Sequence, residues 1–287
     1  MVAITIDGSP ELGRYSVIDS SSYLRYADDS GTKDLRGYEG RNYSKHPFGS
    51  LPFGAIPFNT IPRSEWRDRI AEGHAKKTFP IYHQLRKKVP IKNQRRTPFC
   101  WINSVTGAIQ SIRAVAGWDT IALSSASAGA PGKNYRSEGG WTGEAIGYIQ
   151  KYGLVPEDQW PNDAIDKSYF RGTREVAELY GIGQWFELRA KNFDEVMTCL
   201  LMNYPVPVGL LWWGHSIFYS APVYESGAYG VIGDNSWGPE WENEGRTVLM
   251  EDKATPDEAN CVTSPKLVAD PITTKKFTSF FSSLKAA

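Results

Sequence analysis

The feature that most constrains the fold is a change of hydrophobic period near residue 204. Before it, apolar residues recur at steps of three and four; after it, they alternate or run in short blocks. The helix signal is plainest from Thr97 onward. Trp101, Val105, Ala108, Ile109, Ile112 and Val115 form one apolar stripe, with Thr97 as the expected N-cap, Pro98 at the first helical position and Gly117 as the stop. A second helix is expected over 142–152, closed by Gly153, and a third over 193–203, with Asn192 as N-cap and Glu195 at the capping-box position. Beyond it, VPVGLLWW (206–213), HSIFYSAPVY (215–224), AYGVIGDN (228–235) and GRTVLME (245–251) read as strands separated by Gly, Asn and Pro. Helices first and strands second predict an α+β chain of two lobes, helical then antiparallel sheet or barrel, and not an alternating βαβ chain.

The flanks read differently. Residues 1–60 are dense in Gly, Ser, Tyr and Pro, as in YADDSGTKDLRGYEGRNYSKHPFGS, and no helical period survives beyond a turn. This predicts an extended N-terminal arm that packs along its own domain or against a protein partner. It shows no amphipathic helix, so a docking arm is expected. The main domain is expected over 61–251, and 252–287 reads as a polar C-terminal tail with an aromatic cluster, FTSFF.

Composition removes several function classes. Lys plus Arg and Asp plus Glu each total 32, so the chain is neutral and no nucleic-acid partner is expected. The basic run Arg86, Lys87, Lys88, Lys92, Arg95, Arg96 reads accordingly as a solvated face. Hydrophobic residues make up 41%, enough for a full core, yet no apolar run could span a bilayer, and no membrane association is expected. The start, MVAITIDGSPELGR, has neither a basic n-region nor an apolar h-region, so a cytoplasmic location, or one inside a macromolecular assembly such as a virion, is expected. Cys100, Cys199 and Cys261 contain no CxxC pair, which suits a reducing compartment. Cys199 reads as core and Cys261 as part of the tail. There is no HExxH, GxSxG, P-loop or GxGxxG, and neither a metal nor a cofactor is expected.

Chemistry concentrates at Cys100. A lone cysteine is often just a small buried hydrophobe. Here, however, it falls in the first turn of a helix, where free N–H groups favour a thiolate, and Arg95 and Arg96 lie upstream. Of four histidines, His46, His74 and His83 precede it and only His215 follows, at the head of an expected strand. Asn235 ends another. A cysteine on a helix, facing a histidine and an asparagine on neighbouring strands, is a workable nucleophile, base and orienter.

These residues also carry a resemblance. VPIKNQRRTPFCWINS (89–104) resembles the nucleophile segment of papain-like cysteine peptidases, with the same Gln-to-Cys gap and the Trp directly after the Cys. SEGGWTGEAIGYIQKYGLVPEDQWP (137–161) resembles the family's Gly-Gly segment and following helix. PVPVGLLWWGHSIFY and DNSWGPEWENEGRTVLME resemble the segments of its His and Asn. The resemblance covers about 62–251 and implies the papain-like two-lobed fold. It implies Cys100 as nucleophile, His215 as base paired with it as thiolate and imidazolium, and Asn235 as orienter of the imidazole. Gln94 would donate to the oxyanion with the backbone N–H of Cys100, Trp237 would shield the His–Asn bond, and Gly139 and Gly140 would run beside the substrate backbone.

The implied activity is cleavage of peptide or protein substrates. Three departures qualify it. Pro98-Phe99 stands where the family has Gly-Ser and is expected to narrow the cleft. The family's disulfide cysteines are missing, and the arm is unlike its helical propeptide. They open a second reading, a structural or virion-associated assembly protein built on the same domain, and a third, an acyl-transferase or amidase on the same triad.

Overall fold

The computed structural model describes residues 3–6, 9–49, 55–118 and 120–266. The chain opens with strands β1 (Ala3–Thr5) and β2 (Arg14–Ile18) and a one-turn helix, α1 (Leu24–Ala27), followed by a stretch of irregular backbone. Helices α2 (Arg63–Lys76) and α3 (Pro80–Lys87) come next; both end on a left-handed lysine, at Lys77 and Lys88. The helical lobe then holds α4 (Cys100–Val115), a two-residue strand β3 (Leu123–Ser124), α5 (Ala126–Gly132), α6 (Thr142–Tyr152), β4 (Val155–Pro156) and the short turns α7 (Tyr169–Gly172) and α8 (Arg174–Ala177). The rest is β5 (Ile182–Leu188), α9 (Phe193–Leu201), β6 (Val206–Leu210), β7 (His215–Glu225), β8 (Ala228–Asp234), β9 (Arg246–Met250) and β10 (Glu258–Pro265).

Eight strands form one sheet in the order β1-β2-β9-β8-β7-β6-β10-β5. Every pairing is antiparallel except β2 with β9. The register of β7 on β8 sets Phe218 opposite Asp234, so His215 and Asn235 reach the same end of neighbouring strands. Helix α4 is buried from Cys100 to Ala114 because it lies between two cores. Its Trp101, Ile102, Val105, Ile109 and Ile112 join Ile146, Ile149 and Trp160 in the helical lobe. The sheet has its own cluster, with Val208, Ile217, Val231 and Leu249 packed against Met197 and Leu200 of α9. A third, smaller cluster joins Tyr15 and Val17 of β2 to Ile81 of α3 and Ile232 of β8.

Local signals worked where they were local. Helix α6 has the expected bounds and ends on Gly153 at φ 71°. Asn192 caps α9 by accepting from the Glu195 N–H (3.1 Å), although the Glu195 carboxylate turns instead to the Arg189 N–H (2.7 Å).

Three expectations are corrected. The helix expected from Pro98 begins only at Cys100, with Phe99 at the cap position. Thr97 closes a turn, its hydroxyl donating to the Gln94 carbonyl (2.7 Å). The region after 251 is not an appendage, since β10 is inserted between β5 and β6 with Cys261 fully buried. Its polar residues hide the strand because they bond to α6: Glu258 accepts from the N–H groups of Thr142 and Gly143, and Asn260 donates to the Thr142 hydroxyl. Lastly, the arm is neither extended throughout, since it folds into α1, nor separate from the domain, since Tyr15, Val17 and Ile18 of β2 are core residues. The FTSFF cluster lies outside the described residues.

Candidate active site

The first turn of α4 presents Cys100 to the end of the sheet that carries His215. The two elements are pinned one residue turn away, where the hydroxyls of Ser104 and Ser216 stand 2.7 Å apart. His215 Nε2 is 2.7 Å from Asn235 Oδ1. That oxygen can only accept, so the imidazole donates from Nε2 and leaves the Nδ1 lone pair bare. Nδ1 has no hydrogen-bond partner among the described residues. Asn235 is held in turn by its own N–H, which donates to the Gly245 carbonyl (2.8 Å).

Around this pair stands a wall of indole. Trp237 lies 4.5 Å from the His215 ring and Trp213 5.0 Å from it, with Trp241 against both tryptophans. Trp237, implied by the resemblance as the shield of the His–Asn bond, packs on the His215 ring. Trp213 was missed, although its signal is the WWGH run immediately before the histidine.

Gln94 reaches the same site by another route. Its N–H donates to the Ser236 carbonyl (2.8 Å), and its side-chain Oε1 accepts from the Ser236 hydroxyl (2.6 Å). The amide is thereby oriented with Nε2 inward. Ser236, also missed by the sequence reading, follows directly on Asn235 and links it to Gln94.

The cleft is occupied by the chain itself. Residues 35–40 cross it as a strap: Leu35 offers its carbonyl to Gln94 Nε2 (2.6 Å), and the Gly37 N–H donates to Cys100 Sγ (3.2 Å). Gly140 N–H donates to Gly37 O (2.8 Å) while Glu39 N–H donates to Gly140 O (2.9 Å), a parallel bridge centred on Tyr38. The glycines are needed for this approach. A Cβ on Gly139 would come within 2.6 Å of Gly37 O, and one on Gly37 within 1.9 Å of the Pro98 carbonyl. Tyr38 is buried over Gly209, where a Cβ would stand 2.0 Å from its ring, and its hydroxyl faces Glu258.

Occupation sets the protonation state. Burial pushes the Cys100 thiol up to about 11, against the pull of the Gly37, Ser216, Trp101 and Cys100 amides. Burial also drives His215 down to about 3, the Asn235 bond opposing and the nearby Arg36 cation assisting. Covered in this way, Cys100 is a thiol and His215 a neutral imidazole, not the thiolate and imidazolium expected. Arg95 does not help, because it turns outward toward Asp163 (3.8 Å).

Pro98 and Phe99 also need correction. Pro98 backs the strap, but Phe99 is fully buried in the helical-lobe core, against Trp101 and Gly129, and does not narrow the cleft. Lys92, read as part of a solvated face, is buried. Among the described residues no group of three His, Cys, Asp or Glu side chains is placed to hold a metal ion, and no helix is long and apolar enough to cross a membrane.

The sequence model of papain family cysteine proteases matches residues 80–266. The chain is 27% identical over 180 residues to the oryzain beta chain of Oryza sativa subsp. japonica, covering 54% of this chain and 38% of that protein. It is 28% identical over 216 residues to cathepsin L2 of Homo sapiens, covering 61% of this chain and 63% of the relative. The match therefore spans less than two thirds of either relative's length. Among solved structures, digestive procathepsin L 3 of Tenebrio molitor larval midgut superposes with a TM-score of 0.55 at 16% identity, over 86% of this chain and 88% of that one. The ragweed pollen cysteine protease Amb a 11, in its proform, does so with 0.57 at 16% identity, over 84% and 79%. At such identity these two speak for the fold.

Proposed function

Because the chain belongs to the papain family of cysteine proteases, we propose that Cys100, His215 and Asn235 form a peptide-hydrolysing triad that the strap holds latent. The observation that carries the reading is the bare Nδ1 of His215, with its Nε2 fixed on Asn235 at 2.7 Å. In the proposed reaction, Nδ1 takes the thiol proton as sulfur attacks the substrate carbonyl carbon. The π pair moves to oxygen, which Gln94 Nε2 and the Cys100 N–H stabilise. The C–N bond then breaks, the amine leaves with the proton from His215, and water hydrolyses the thioester by the same transfers.

The occupied cleft supports latency. Gln94 already binds a peptide carbonyl, that of Leu35, at 2.6 Å. What faces the sulfur, however, is the Gly37 N–H and not a carbonyl carbon open to attack. Two solved structures of similar fold are likewise described as pro-forms. One observation favours the second reading, a domain retained for assembly without turnover. Strand β2, which leads to the strap, is paired with β9 and so belongs to the sheet itself.

Turnover of an N-blocked dipeptidyl coumarylamide by the full-length chain, by Gly37→Val and by Cys100→Ser decides between them. Hydrolysis that rises in Gly37→Val and vanishes in Cys100→Ser is expected. Hydrolysis that survives Cys100→Ser would refute the triad. Silence in Gly37→Val while Cys100 alkylates readily would favour the assembly protein.

A further inference from the structure

Behind the site, on the side away from the strap, lies a buried polar network that the proposed reaction does not itself use. Its centre is Asn162, 5% exposed, in the loop after β4. Its Oδ1 accepts from the Lys92 ammonium (3.1 Å) and from the Ser125 N–H (2.7 Å). An ammonium only donates, so the orientation of the amide is fixed and Nδ2 must face the other way. There it donates twice, to the Asn93 carbonyl (2.9 Å) and to Asn103 Oδ1 (2.8 Å). Asn103, fully buried on α4, donates from Nδ2 to the Phe99 carbonyl (2.9 Å) and accepts from the Ser125 hydroxyl (2.9 Å). Lys92 completes its donors with Glu157 (2.6 Å) and the Leu123 carbonyl.

Asn93 precedes Gln94, and Phe99 precedes Cys100. Asn162 therefore grips the backbone beside Gln94 directly, and the backbone beside Cys100 through Asn103. Such a network is costly when half satisfied and rigid when complete, and every polar atom of Asn162 and Asn103 has a partner here.

We infer that Asn162 is a positioning residue for the oxyanion site, fixing the spacing between the Gln94 amide and the Cys100 N–H through Asn93 on one side and Asn103–Phe99 on the other. The inference rests on the proposed role of Gln94 and Cys100. Asn162 touches no reacting atom. Its effect should fall on additions that place charge or a hydroxyl on the carbonyl oxygen, and not on the sulfur's own nucleophilicity.

Two probes separate these on the full-length chain. Iodoacetamide alkylates Cys100 by displacing iodide, with no oxyanion formed. An N-blocked dipeptide aldehyde adds reversibly: the S–C bond forms, the carbonyl π pair goes to oxygen, and the thiol proton ends on that oxygen. The aldehyde's protection of Cys100 against alkylation, followed by mass spectrometry of the Cys100 peptide, gives its apparent affinity and the alkylation rate in one assay. Both probes need the strap open, so comparing them cancels that step.

Asn162→Asp keeps the acceptor for Lys92 and Ser125 and removes both donors; Asn162→Ser serves where the aspartate does not fold. Each is expected to weaken the aldehyde at least about tenfold relative to alkylation. Asn192→Ala, which removes the cap of α9 and lowers the melting temperature from the far lobe, is expected to leave that ratio unchanged. Asn162 variants with the wild-type ratio, or an equal change in Asn192→Ala, would overturn the inference alone. A wild-type chain whose Cys100 alkylates but gains no protection from the aldehyde, or reacts with neither probe, would overturn the reading of the site and the inference with it.

Discussion

The strap and strand β10 both come to the site from outside the run of residues 61–251, and they are held in opposite ways. In β10, Glu258 to Val262 are buried without exception, paired with β5 on one edge and β6 on the other. In the strap, Tyr38 is the one large buried side chain, and Glu39 and Gly40 are exposed. The strap is seated almost wholly by main-chain bonds, to Gly140, Gly214, Gln94 and the Cys100 sulfur. A segment fixed by side chains in two cores leaves only when the molecule unfolds. One fixed by a few backbone bonds can leave in a local opening far cheaper than global unfolding. The difference makes one segment architecture and the other, in the proposed reading, a gate.

The comparison can be broken first at β10. Val262→Asp places an unpaired carboxylate in the helical-lobe core and is expected to cost more than about 4 kcal/mol, enough to abolish the cooperative transition in urea. A midpoint close to wild type would show that β10 is dispensable. Next is the strap's seat. Replacing Pro98-Phe99 by Gly-Ser removes a fully buried phenyl ring and should destabilise the fold by about 3 kcal/mol. If instead the pair blocked the cleft, the same variant would label faster at Cys100 with its melting temperature unchanged.

At the strap itself, Gly37→Val drives a side chain into the Pro98 carbonyl, a contact of 1.9 Å for its Cβ alone. Losing two of the strap's hydrogen bonds, about 2.7 kcal/mol together, should raise the rate of Cys100 alkylation about a hundredfold. The global melting temperature should move little; a parallel fall of both would mean that the strap is core after all.

The smallest effect is on pH. Iodoacetamide reacts with the thiolate, and burial holds the thiol near 11, so the alkylation rate of the intact chain should climb without a plateau from pH 7 to 10. Uncovering the sulfur removes the burial that raises its pKa, so the Gly37→Val profile should shift to lower pH. Coincident profiles would place the burial elsewhere than under the strap.

Helix α4, the His215 and Asn235 strand ends, the Gly153 stop and the Asn192 cap were legible because each is written in contiguous residues. The strap was not, because main-chain bonds to Gly140 and Cys100 leave no side-chain pattern to read. Strand β10 was hidden by Glu258 and Asn260, polar residues that bond to the start of α6. Lys92 looked solvated for the same reason, its partners Glu157 and Asn162 being distant in sequence. The ionisation of Cys100 could not be foreseen either, since it depends on what covers the sulfur.

The strap is anchored on both sides, by β2 in the sheet before it and by α2 after it. It can therefore never be diluted away from Cys100. Any free peptide must compete with a tethered one whose effective concentration is roughly millimolar or higher. The closed fraction is accordingly independent of how much protein is present. What would shift it is a cut in the chain, or a partner that holds the strap elsewhere.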